Sequence, residues 1–114
     1  MENRREHYRI QYRAEETPTL EAGGERHVIS DLSISGARLL KSPVFQEGLP
    51  PVPVRIRFAD GAVFSTTAVF LREEPEHVAI RFTQMIPSPV IFAEERRIKR
   101  LERIRELKSQ EESP

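Results

Sequence analysis

Arginine is the side chain that stands out near the N-terminus, where Arg4, Arg5 and Arg9 lie close together. A guanidinium group donates two parallel hydrogen bonds to a phosphate and also stacks on a flat ring. From Tyr8 to Arg13, apolar and polar residues alternate, which is the pattern of a strand with one buried face. The segment therefore predicts an arm that lies along a sheet and displays its guanidinium groups. A frayed basic terminus would have the same composition.

A second segment that could bind a ligand is the run Asp-Leu-Ser-Ile-Ser-Gly, which contains Asp31, Ser33 and Gly36. As a purely structural feature, this run predicts an Asx-type turn between two strands, with the glycine at positive φ. As a binding site, it holds a carboxylate and a hydroxyl on a rigid loop. An aspartate in that setting accepts hydrogen bonds from the N1–H and the exocyclic amine of a guanine. The run by itself does not separate these two interpretations.

Enzyme chemistry is not indicated by the residues. The chain has no cysteine, which excludes a disulfide framework, a thiolate zinc site and a cysteine nucleophile. The histidines His7, His27 and His77 are isolated and lack the spacing of metal ligands. No nucleophile elbow, phosphate-binding glycine loop or dinucleotide fingerprint occurs. We therefore expect a binding protein that is not an enzyme and has no metal and no cofactor.

Charge is balanced over the 114 residues, with 18 Lys and Arg against 18 Asp and Glu, which argues against a general nucleic-acid binder. The distribution is uneven, since residues 1–13 carry four Arg and two Glu and residues 94–108 carry seven bases and four acids. Any anion site is therefore local. No apolar run approaches the ~20 residues of a membrane span, and no signal-peptide pattern follows the N-terminus. We expect a cytoplasmic protein.

The middle of the chain predicts short β-strands with no helix between them. The strand patterns are alternating or β-branched runs, with turn signals at Gly23-Gly24 and Asp60-Gly61. The predicted strands lie near Thr17–Ala22, Arg26–Ser30, Gly36–Leu40, Val52–Phe58, Ala62–Leu71 and Val78–Phe82. Short antiparallel strands at this spacing predict a barrel or a sandwich.

A helix is predicted after the strands, over residues 87–108, with Ser88 as its cap and Pro89 at its first position. Its apolar stripe drifts around the cylinder, so we expect its first half to close the barrel. The distal half is either solvated or the surface of a homodimer or a target. The predicted organisation is a single domain with a flexible arm at 1–13, a barrel at 14–86, this helix, and a disordered tail at 109–114.

Together, the two motifs resemble the signature of the PilZ domain family. RxxxR, at Arg5 to Arg9, is followed about twenty residues later by DxSxxG, at Asp31, Ser33 and Gly36. The resemblance implies a mainly β fold, a six- or seven-stranded antiparallel barrel with a C-terminal α-helix, and binding of the bacterial second messenger cyclic di-GMP. It also implies that the two arginines contact phosphates and guanine, that the Asp and Ser take a guanine edge, and that the Gly allows close approach of the backbone.

Two residues vary this pattern. Arg4, directly before RxxxR, resembles the variant of the family that accommodates two intercalated ligand molecules per protomer. Ala79 stands where the late strand of the family often has glycine, so we expect weakened binding at worst.

A signalling role follows from the resemblance. We expect ligand binding to order the N-terminal arm over the barrel and so change a surface read by an unidentified downstream protein. The alternative is a PilZ-like adaptor that does not bind ligand and acts through protein–protein contacts. A small-barrel nucleic-acid binder is less favoured, because the chain has only eight Phe and Tyr and zero net charge.

Overall fold

Seven β-strands followed by one helix make up the computed structural model, which describes residues 9–13 and 16–112. The strands are β1 (Ile10–Gln11), β2 (Thr19–Ala22), β3 (Glu25–Leu32), β4 (Gly36–Leu40), β5 (Val52–Arg57), β6 (Val63–Glu73) and β7 (His77–Phe82), and the helix is α1 (Ser88–Glu112). Each strand predicted from the sequence is present, so the prediction of a mainly β fold is confirmed.

Six of the strands close into an antiparallel barrel. The closure arises because β3 pairs with β2 along one edge and with β4 along the other. The remaining neighbours are β2–β5, β5–β6, β6–β7 and β7–β4. The extra strand, β1, pairs with β3 beside its C-terminal end, with Ile10 opposite Leu32 and Gln11 opposite Asp31. The prediction of a six- or seven-stranded barrel is confirmed.

The barrel core is built by alternation along the strands. In β5, Val54 and Ile56 are buried whereas Arg55 and Arg57 are exposed, as the period of two requires. The inward side chains of the other strands meet them, and the largest fully buried ones are Leu20, Ile29, Leu32, Leu39, Ile56, Ile80, Ile86 and Val78. Each such side chain contributes roughly 1.5–3 kcal/mol to folding.

Helix α1 begins at Ser88, and the carbonyl of Pro87 accepts the first helical hydrogen bond, from the Ile91 N–H at 3.2 Å, so the cap is one residue before the predicted Ser88. The first half of the helix packs on the barrel. Ile91 and Ile98 are each 5% exposed and belong to the core, whereas Ile104 and Leu107 are 43% and 55% exposed. The prediction that only half of the helix closes the barrel is therefore confirmed. Within the described part of the chain, no helix combines the length and the apolar character needed to cross a bilayer.

The boundaries at the two ends differ from the prediction. Strand β1 falls within the segment 1–13 that was predicted as a flexible arm, and its Ile10 is buried against β3. The helix continues to Glu112 instead of ending at Lys108, so the tail predicted as disordered is helical over 109–112. The remainder of the predicted arm, residues 1–8, and residues 113–114 of the tail lie outside the described residues.

Candidate functional site

The turn between β3 and β4 is held by Ser33. Its backbone N–H donates to the carbonyl of Gly36 at 2.9 Å, and its hydroxyl donates to the same carbonyl at 3.3 Å. The hydroxyl also accepts a hydrogen bond from the Ser35 N–H at 3.4 Å. Ser33 is only 4% exposed. A turn is therefore present at the predicted position, but it is held by the hydroxyl of Ser33 and is not the predicted Asx-type turn, since the Asp31 carboxylate bonds to Arg38 instead.

Of the two reasons that the sequence suggested for Gly36, the structure supports the close approach of a backbone and not a positive φ. Gly36 lies in β4 and is not among the described glycines with positive φ, so the prediction of a left-handed glycine is wrong. A Cβ at this position would lie 2.3 Å from the Ile80 carbonyl oxygen of β7. Glycine is therefore required by the close approach of β4 to β7 beneath the turn.

Replacing Gly36 with Ala is expected to lower the free energy of unfolding by about 1–3 kcal/mol, because the backbone of β7 must move to admit the methyl group. Urea denaturation measures this change. Gly24→Ala is a poor control because Gly24 has φ of 77°, whereas Ser65→Ala on the exposed face of β6 adds no strain. Equal stability of Gly36→Ala and the wild type would contradict the steric argument.

Asp31 lies in strand β3 rather than in the loop where the sequence predicted it, and it is 6% exposed. Its Oδ2 accepts a hydrogen bond from Nη1 of Arg38 on β4 at 2.9 Å, across the strand pair. The Arg38 Nε donates to Glu74 Oε1 at 2.7 Å, and Arg72 Nε donates to Glu74 Oε2 at 3.1 Å. These four side chains, Asp31, Arg38, Glu74 and Arg72, form a line of alternating charge.

Two side chains in this line of charges, Glu74 and Arg38, have shifted pKa values. The hydrogen bond from Arg38 holds the pKa of Glu74 below its usual range. The hydrogen bonds to Glu74 and Asp31 raise the pKa of Arg38. Hydrogen bonds to two carboxylates orient the Arg38 side chain. The side chain is also open to solvent, since it is 35% exposed. No group of three or more potential metal ligands occurs among the described residues.

Ala79 lies under this line of charges. In the sheet register it stands opposite Arg38 of β4 on one side and Arg72 of β6 on the other. Its neighbours Val78 and Ile80 point into the core, so Ala79 faces outward, and its 2% exposure means that longer side chains cover it. The methyl group therefore packs beneath the arginines.

Arg9, the described arginine of the motif, lies at the same end of β3. Arg9 is exposed and directly precedes Ile10, whose partner on β3 is Leu32. Since the two strands are antiparallel, the chain entering β1 comes from the side of the Ser33 turn. Arg9 also lines a cavity of about 160 Å³ with Glu95 of α1. The other two predicted arginines, Arg4 and Arg5, lie outside the described residues.

Just after β1, Tyr12 connects this region to the helix. Its hydroxyl donates to Oε2 of Glu94 at 2.6 Å, and Glu94 is only 4% exposed. Arg97 donates to both oxygens of Glu94, at 2.9 and 2.8 Å, and its Nη2 also donates to the Glu16 carbonyl at 2.8 Å. Burial first, and then the hydrogen bond to Glu94, raise the pKa of Tyr12 far above its usual range. The residues after the arm are therefore fixed to α1.

Sequence reasoning missed three of these residues. Arg38 is two positions after Gly36, so the period of two places it on the same face, and this signal was available. Glu74 belongs to a run of acidic residues that is typical of a solvated turn, and only the folded register brings it to Arg38. Glu94 looked like one of several helical glutamates.

The fold defines a small antiparallel β-barrel domain with a C-terminal helix packed against it. A model of the PilZ domain matches residues 3–101, so the chain belongs to the PilZ domain family. Members of that family are binding and adaptor domains of the cyclic di-GMP-binding type, not enzymes.

A solved structure has the same fold. The crystal structure of the Legionella uncharacterized protein Lpg0364 is similar to this chain, with a TM-score of 0.54 and 14% sequence identity. The similarity covers 90% of this chain and 98% of that one. At this identity the likeness extends to the fold alone. No curated protein matches the chain.

Proposed function

We propose that this domain is a cyclic di-GMP receptor whose ligand lies on the outer face of the barrel beside the β3–β4 turn. The observation that carries the proposal is the pairing of β1 with β3. Because of this pairing, Arg9 enters the sheet at the end of β3 where Asp31 lies and after which the Ser33 turn begins. Arg9 of one motif and Asp31 of the other thereby lie at one end of one strand pair, which supports a common ligand.

The proposed contacts follow from the chemistry of the ligand, which has two guanines and two negatively charged phosphodiesters. Arg5 and Arg9 bind the phosphates and the Hoogsteen edge of a guanine. Asp31 accepts hydrogen bonds from a guanine edge, and Ser33 lies next to it on the turn. An ionised carboxylate has about four lone-pair positions, so Asp31 can bind guanine while it keeps its hydrogen bond to Arg38.

Arg38 is an addition to the site predicted from the sequence. Of its five N–H donors, the described contacts engage those on Nε and Nη1. The guanidinium plane is held by Asp31 and Glu74, so little side-chain entropy is lost when a guanine stacks on it. We assign Arg38 the role of keeping the Asp31 carboxylate oriented and of offering a flat cationic surface to the ligand.

Replacing Arg9 with Ala is expected to weaken cyclic di-GMP binding by about tenfold or more, because a charge-assisted hydrogen bond contributes about 1.5–3 kcal/mol. Isothermal titration calorimetry of the full chain measures the affinity. Arg26→Ala is the matched control, since Arg26 is an exposed arginine at the other end of β3, and it should bind like the wild type.

The same titration separates the alternatives. If the wild type gives no heat with cyclic di-GMP at tens of micromolar, the domain is an adaptor without this ligand and the proposal is wrong. The stoichiometry tests the role of Arg4. We propose two intercalated molecules per protomer, and one molecule at saturation would contradict that part of the proposal.

Ligand binding is further proposed to order the arm and thereby change the surface of the domain. Residues 1–9 contain few apolar side chains, so contacts to the ligand are needed to fix them. Amide hydrogen exchange of residues 1–9 is expected to slow when cyclic di-GMP is added, while exchange in β5 stays unchanged. Equal exchange with and without ligand would show that the arm is not the switch.

A further inference from the structure

The face of α1 that points away from the barrel carries a row of arginines. At about 100° per residue, Arg96, Arg100 and Arg103 fall within about 60° of one another around the helix axis, and Leu107 lies in the same band. All four are exposed. Within residues 9–13 and 16–110, no hydrogen bond or ion pair holds any of these three guanidinium groups. The barrel-facing residue Ile98 is on the opposite side of the helix.

A cavity of about 260 Å³ opens at the N-terminal end of this row, between α1 and the β5–β6 hairpin. Phe58, Val90 and Ala93 give it an apolar lining, and Arg96 and Arg100 also line it. Its remaining lining residues are Asp60, Glu94 and Arg97. Because Arg97 already donates twice to Glu94, these two charges neutralise each other. The cavity therefore combines an apolar floor with two unpaired cations.

We propose that this face of α1 docks an acidic, amphipathic segment of a partner protein. Carboxylates of the segment pair with Arg96, Arg100 and Arg103, and one apolar side chain enters the cavity between Phe58 and Ala93. The exposed Leu107 extends the apolar contact toward the C-terminus. Since none of these residues belongs to the ligand site, the inference does not depend on cyclic di-GMP binding.

Charge complementarity favours an acidic protein over the other possible occupants. An anionic membrane would meet Glu95, Glu102 and Glu106, which form a second row about 100° around the helix, and also Asp60 at the cavity. A second copy of the chain in a two-fold dimer would bring the arginine row against itself. An acidic segment that lies along the arginine row avoids the glutamate row and the self-contact. It places an apolar side chain, and no carboxylate, in the cavity beside Asp60.

The test uses a fluorescent peptide of Glu with Leu at helical spacing, and the same peptide with Gln in place of Glu. Anisotropy is expected to show binding of the Glu peptide to the full chain and no binding of the Gln peptide.

The double variant Arg96→Glu/Arg100→Glu should weaken binding of the Glu peptide by at least about tenfold. The double variant Arg26→Glu/Arg55→Glu changes the net charge equally at exposed barrel positions and should bind normally. Ala93→Leu, which fills the cavity without a charge change, should also weaken binding.

Several results would overturn the inference. Equal losses in the two double variants would mean nonspecific attraction between charges, and binding by Ala93→Leu at wild-type affinity would remove the cavity from the site. No binding of the Glu peptide, or stronger binding to vesicles of anionic phospholipid that Arg96→Glu/Arg100→Glu abolishes, would contradict a protein partner. A homodimer in sedimentation that the same double variant dissociates would make this face a self-association surface instead.

Discussion

Replacing Asp31 with Ala is expected to weaken cyclic di-GMP binding by about 100-fold while the free energy of unfolding changes by less than about 1 kcal/mol. The loss of affinity is large because the carboxylate is 6% exposed and already oriented, so water cannot replace its hydrogen bonds to guanine at low cost. The stability is preserved because Arg38 keeps its hydrogen bond to Glu74 and is partly exposed. Calorimetry and thermal unfolding of one sample measure both quantities.

The reciprocal variant makes the argument about Asp31 sharper. Arg38→Ala removes the described partner of a buried carboxylate, so it should cost stability as well as affinity. Asp60→Ala, in the exposed β5–β6 turn, is the matched control and should leave ligand binding unchanged. If Asp31→Ala binds cyclic di-GMP as tightly as the wild type, then the carboxylate only anchors Arg38 and the proposed guanine contact is wrong.

The barrel was predictable because its strands carry the period of two. Val54 and Ile56 alternate with arginines, and Asp60-Gly61 marks the hairpin to β6, where Gly61 adopts φ of 93° and Asp60 Oδ1 accepts a hydrogen bond from the Ala62 N–H at 2.9 Å. Strand β1 agrees with the alternation from Tyr8 to Arg13, which predicted an arm lying along a sheet, because Ile10 is buried opposite Leu32 and Gln11 is exposed. The alternation did not indicate which strand the arm pairs with, because that pairing is a tertiary contact with β3.

The residue at which the helix ends was also not predictable from the sequence. After Leu107 the apolar stripe stops, which suggested disorder, but an existing helix adds residues at little cost because only nucleation is unfavourable. The helix therefore reaches Glu112.

The residues of the candidate site could be proposed from the sequence, but their hydrogen-bond partners could not. Asp31 and Ser33 were identified through their motif, yet the motif says nothing about Arg38 and Glu74, which meet only when β4, β6 and β7 are in register. Gly36 was predicted to allow the close approach of a backbone, and in the structure the group that approaches it is the Ile80 carbonyl of β7. Pair contacts across strands depend on the register of the whole sheet, which no single segment encodes.

The connection between the arm and the helix is the feature that sequence reasoning missed entirely. Glu94 accepts hydrogen bonds from Tyr12, three residues after Arg9, and from Arg97, which also lines the cavity behind the arginine row. The segment that follows Arg9 and one lining residue of the proposed docking cavity therefore both donate hydrogen bonds to one buried carboxylate. The stability of the domain depends on the same carboxylate, because the groups that it satisfies are largely shielded from water.

Replacing Glu94 with Ala is therefore expected to lower the free energy of unfolding by about 3–4 kcal/mol, which corresponds to a fall in Tm of roughly 13–17 °C. The variant leaves the Tyr12 hydroxyl and the Arg97 guanidinium without the acceptor that both use.

Glu95→Ala is the matched control on the next helical position. The Glu95 carboxylate lies 4.0 Å from Lys99 on the surface, so its loss should cost less than about 0.5 kcal/mol. Glu94→Gln keeps an acceptor but not the charge, and its stability should fall between the other two. If scanning calorimetry finds Glu94→Ala and Glu95→Ala equally stable, the buried carboxylate does not hold the segment after β1 to α1, and the connection from the arm to the helix does not exist.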